Sequence, residues 1–109
     1  MAHDEELAER IRKRLQRRKG VTERKMFGGL AFLLNGNRCC GVSREGLMLR
    51  LGNDGASAAL QESHTREMDF TGKVLKSMVY VDSTGHQADA DLHSWIERAF
   101  AYAKSLPAK

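Results

Sequence analysis

The chain has 109 residues, with 18 Lys+Arg against 14 Asp+Glu, 41% hydrophobic and 29% charged residues, and a single Pro. That length fits one domain, and the composition is globular rather than disordered. The longest uninterrupted apolar run, 30–34, is far short of the roughly 20 residues a membrane helix needs, and a net charge of +4 is less than a dedicated nucleic-acid binder carries.

The chain opens on an acidic stretch without an apolar run, so no secretory or organellar leader is expected and a cytoplasmic location is. Residues 4–19 read as a helix: Leu7, Ile11 and Leu15 recur every four residues, acids lead, bases trail, and Gly20 closes it. Residues 22–51 are strand-rich. Strands are expected at 22–27, 30–34, 38–43 and 47–51, with Asn35-Gly36 as a strong hairpin turn. A Gly-Asn-Asp-Gly break at 52–55 precedes a short helix at 56–62. Residues 63–82 are expected as loop with one short strand near 68–70, then a strand at 77–81. Residues 89–106 form the clearest helix. There Leu92, Trp95, Ile96, Ala99 and Phe100 share a face, and Pro107 stops it.

Strands joined by tight turns are antiparallel. The fold class is therefore α+β, a two-layer domain with an antiparallel sheet of five to six strands and helices packed on it. Strict alternation across the two hairpins gives two apolar faces. One carries Ala31, Leu33, Cys40, Val42, Leu47 and Leu49, and the C-terminal helix is expected to cover it. The other carries Leu30, Phe32, Leu34, Cys39 and Met48. It has no obvious cover within the chain and is the candidate interaction face, with a homodimer or a protein partner expected on it.

The run Arg24-Lys25-Met26-Phe27-Gly28-Gly29-Leu30-Ala31-Phe32, the Asn35-Gly36 turn, the strand Leu47-Met48-Leu49-Arg50-Leu51 and the segment from His64 to Gly72 appear in a set order. In this the chain resembles the N-terminal domain of the TfoX/Sxy family, regulators associated with competence development. The segment from His64 to Gly72 looks like a motif of the small single-domain members. The resemblance implies an α+β fold similar to type III secretion chaperones. Full-length family regulators carry a second, helical domain linked to nucleic-acid contacts. With the sequence ending at Lys109, the resemblance implies a stand-alone N-terminal-type domain.

Three side-chain groups compete for a role. His64, Arg66 and Asp69 could bind an anion or exchange protons, although a local Arg–Asp pair explains them as well. Arg10, Lys13, Arg14 and Arg17 follow helical spacing and form a basic stripe that could lie along a phosphate backbone; nearby acids offset it. Cys39 and Cys40 with His64, His86 and His93 lack zinc-ligand spacing, and both cysteines are expected as thiols. Gly28-Gly29 is no phosphate loop, since neither a Lys-Ser/Thr nor a third glycine follows. No catalytic residue, metal site, cofactor or small-molecule substrate is therefore expected. The reading is a non-enzymatic regulatory or adaptor domain acting through protein contacts. The alternative is a nucleic-acid-associated factor using the first helix, and an enzyme using His64, Arg66 and Asp69 comes last.

Overall fold

The computed structural model describes residues 5–26, 29–43, 46–70 and 73–107. Helix α1 (Glu5–Leu15) buries Leu7, Ala8, Ile11 and Leu15, with acids in its first turn and bases in its last. It stops four residues before the expected end. Residues 16–20 form turns instead, and Arg18 is drawn across to Glu97. Gly20, at φ +84°, opens the next strand rather than capping the helix.

Strands β1 (Val21–Met26), β2 (Gly29–Leu34), β3 (Asn37–Ser43) and β4 (Gly46–Arg50) form a meander. Asn35 and Gly36 have φ of 53° and 85°. That is the mirror-image two-residue turn whose twist suits a hairpin. Helix α2 (Gly52–Ala59) begins inside the expected break. Gly52 makes the turn alone at φ +79°, and a Cβ there would lie 2.5 Å from Cε1 of Tyr102. One glycine frees the next three residues to be helical.

The 63–82 segment holds a full hairpin, β5 (Thr65–Phe70) and β6 (Lys73–Val81), where a loop and shorter strands were expected. Its register shifts between Glu67 and Met68, and this irregularity hides the alternation from a periodicity reading. A short helix, α3 (Ser83–His86), replaces the expected turn; the Asp82 carboxylate accepts the Gly85 N–H at 3.2 Å. Helix α4 (Asp89–Ser105) follows as expected. All pairings are antiparallel, in the order β1-β2-β3-β4-β6-β5.

The assignment of sheet faces needs correction. The Asn35-Gly36 loop has two residues as expected, with Leu34 opposite Asn37 and Leu33 opposite Arg38. The next pair is Phe32 with Cys40, so Cys39 is an extra residue in β3. This β-bulge reverses the parity of everything beyond it. Leu30 now pairs with Val42, and Leu30, Phe32, Leu34 and Cys39 join Cys40, Val42, Leu47 and Leu49 in one core. Helices α1, α2 and α4 cover that core with Leu7, Ile11, Ala56, Leu92, Trp95 and Ile96. Four of the five residues of the expected interaction face therefore lie beneath the chain's own helices. The fifth, Met48, sits on the opposite face with Met68, Met78 and Tyr80. Ala31 and Leu33, expected under α4, alternate with the core residues of β2 and share the Met48 side.

Candidate functional site

The basic stripe divides in two. The Arg10 guanidinium donates to the carbonyls of His86 and Gln87 at 3.0 and 3.1 Å and to the Asp89 carboxylate at 2.9 Å. Arg14 and Arg18 both donate to Glu97 of α4, and Arg18 lies 4.4 Å from the Phe100 ring centroid. The hydrogen bond from Arg18, more than that from Arg14, holds the Glu97 carboxyl below the usual carboxylate range. These contacts fasten α1 to α4. Lys13 and Arg17 remain exposed.

The polar cluster also separates. His64 adopts φ 70°, which takes it out of the strand alternation. Its Nδ1 lies 3.5 Å from the Asp82 carboxylate. With Gly85, Trp95 and Arg98 it borders an open groove of about 320 Å³. Arg98 is held there by Glu62 at 2.8 Å and stacks over Trp95, whose Nε1 donates to the Gly85 carbonyl. Arg66 instead stacks on Tyr80 at 4.7 Å, on the Met48 side of the sheet. Asp69 pairs through its backbone with Val74, and its side chain lies outside the described residues. His64 and Arg66 thus serve different faces.

The two cysteines come together rather than apart. The bulge at Cys39 puts both in the helix-covered core, where the neighbouring Cys39 thiol and burial push the Cys40 thiol up. Among the described residues no group of three or more His, Cys, Asp or Glu is placed to hold a metal ion. No helix of the described residues is long and apolar enough to cross a membrane.

A different site emerges where α1 meets β1. A groove of about 410 Å³ runs between them, with Leu15, Val21 and Phe32 as its apolar lining and Arg12, Arg18 and Glu23 at its rim. Arg12 donates to both oxygens of Glu23 at 2.7 and 2.8 Å and also pairs with Glu9. That hydrogen bond lowers the Glu23 pKa and raises the arginine's. Beside the groove, β1 is an edge strand: among the described residues it pairs with β2 alone.

The outward backbone groups of that edge can be identified. The Gly20 carbonyl accepts the Asn35 N–H at 2.8 Å, in register with Val21–Leu34. Antiparallel pairs alternate between bonded and non-bonded. Thr22 and Arg24 therefore bond to β2, whereas Val21, Glu23 and Lys25 turn their N–H and C=O groups away from the sheet. Residues 22–25 are exposed on both sides of the strand. Arg24 and Lys25 on this strand, and Arg17 and Lys19 in the turns that lead into it, are exposed cations, and Glu23 is held by Arg12. Sequence reasoning passed over this site. Its signal was present: the first strand of a meander is an edge, and the run Thr-Glu-Arg-Lys has no apolar face to bury.

An open antiparallel sheet of six strands, backed on one face by three of its helices, defines a small α+β domain whose first strand offers a polar edge. The sequence matches the TfoX N-terminal domain family over residues 13–103, so the chain belongs to that family. No curated protein and no solved structure matches it.

Proposed function

We propose that this domain is a non-enzymatic adaptor that acts through protein contacts, with the α1–β1 groove and the adjoining strand edge as its contact surface. The observation that carries this is the combination of a groove with apolar lining and, beside it, a strand with outward backbone groups that pair with no strand among the described residues and with exposed cations on and before it. Apolar anchors with a polar rim are what protein interfaces use. Membership of the TfoX N-terminal domain family supports a regulatory setting for such a contact. The alternative of nucleic-acid binding drew on four cations along α1, and two of these, Arg10 and Arg14, are engaged with α3 and α4.

The test is capture on immobilised domain from lysate with and without nuclease treatment, comparing wild type with the double variant Arg24→Glu/Lys25→Glu. The expected result is a protein retained by wild type and reduced at least about tenfold by the charge reversal. Equal retention by both forms would contradict the proposal. So would retained material that disappears on nuclease treatment.

A further inference from the structure

We infer that the partner binds as an extended acidic segment that adds a seventh strand to β1, placing alternate apolar side chains into the α1–β1 groove; this rests on the adaptor reading above. Three independent features point to it. The outward N–H and C=O groups of Val21, Glu23 and Lys25 form a hydrogen-bonding row along the free edge of β1. Strand addition uses such a row for affinity and takes specificity from alternate side chains. On the helix side of the edge, the groove whose floor is the half-buried Val21, above the buried Leu15 and Phe32, would receive those apolar side chains. On the other side, strand alternation places the exposed Arg24, so an intervening residue of the added strand meets a cation. Arg17 and Lys19 add to the same positive field.

A second copy of this chain fits the edge poorly. If both copies keep their helices on one side of a continuous sheet, antiparallel pairing of β1 over nearly its whole length centres on Glu23 or on Arg24. The central residue then meets its own copy, which sets like charges directly opposite each other. Edge strands commonly use charge in this way against self-association. An acidic partner strand meets no such repulsion.

The probe is a peptide of about eight residues, blocked at both ends, alternating glutamate and leucine; β1 itself has six residues. Titration into isotopically labelled domain should shift the amides of Val21, Glu23 and Lys25 and protect them from exchange. An alternating lysine–leucine peptide should not bind. Lys25→Pro removes one outward N–H while leaving the bonds to β2 intact, so the fold should persist. It should weaken binding at least about tenfold more than Lys25→Ala, which removes only the charge. Equal affinity of the Pro and Ala variants would overturn strand addition. So would binding of the lysine peptide, or shifts confined to other parts of the chain. Protection of the same three amides with rising protein concentration and no peptide would overturn it in favour of a second copy. If the peptide fails while Arg24→Glu/Lys25→Glu still abolishes capture from lysate, strand addition falls and the adaptor reading stands.

Discussion

Phe32→Ala separates the observed core from the exposed face that simple alternation suggests. Phe32 is 1% exposed and is the bulkiest of the fully buried side chains. A buried phenylalanine removes roughly 150 Å² from water, which at about 25 cal/mol per Å² amounts to roughly 3–4 kcal/mol. Alanine keeps part of this, and the cavity it leaves adds a further cost. The expected loss is therefore about 3–5 kcal/mol. A domain of this size has a total stability of only about 5–15 kcal/mol, so the variant should be marginal at 37 °C. Its melting temperature should fall by roughly 15–20 °C. Urea unfolding followed by Trp95 fluorescence and by far-ultraviolet circular dichroism measures the loss, with sedimentation on the same samples. A loss below about 1 kcal/mol, together with a change from dimer to monomer, would return Phe32 to an exposed interface. The β-bulge argument would then be wrong.

Two further outcomes follow from the same geometry. Glu97 has its folded pKa lowered by Arg18 and Arg14, so its contribution is present above the unfolded carboxylate value, near pH 4.3, and is lost as pH falls through the folded value. Stability measured from pH 7 down to pH 3 should therefore decline, and Glu97→Gln should flatten part of that acid slope. The half-exposed setting keeps the effect of the order of 1 kcal/mol or less, and a steeper slope in the variant would refute the assignment. Cys39 and Cys40, at 1% and 3% exposure, should resist alkylation at neutral pH in the native state and react together on unfolding. Rapid native labelling of Cys39 alone, read by mass spectrometry, would place it on the opposite face from Cys40.

Much of the architecture is legible in local chemistry. Asn35-Gly36 specifies the turn that the structure contains, and Leu92, Trp95 and Ile96 identify the face that α4 buries. The expectation that α4 covers Val42, Leu47 and Leu49 also matches the observed core. What local patterns do not carry is an irregularity in pairing. Nothing in the residues from Asn37 to Val42 announces that Cys39 is extra, yet that one residue moves Leu30, Phe32 and Leu34 from one side to the other relative to Val42. The register shift at Glu67 and Met68 obscured the second hairpin in the same manner. The candidate groups are divided for a tertiary reason. Helical spacing places Arg10 and Arg14 on a stripe, but only the packed chain brings Glu97 and Asp89 to meet them. His64 lies two residues from Arg66, but its left-handed backbone turns it towards α4 and away from that neighbour.

The contact surface depends on the outer side of β1 being open, and residue-resolved amide hydrogen exchange of the isolated domain at micromolar concentration tests that most directly. Thr22 and Arg24 donate towards β2 and should be protected, while Val21, Glu23 and Lys25 face outward and should exchange at rates close to those of an open chain. This alternation of slow and fast amides along one strand is the signature of a free edge. Uniform protection from Val21 to Lys25 would mean that the edge is already covered, and both the proposed contact surface and strand addition would be contradicted.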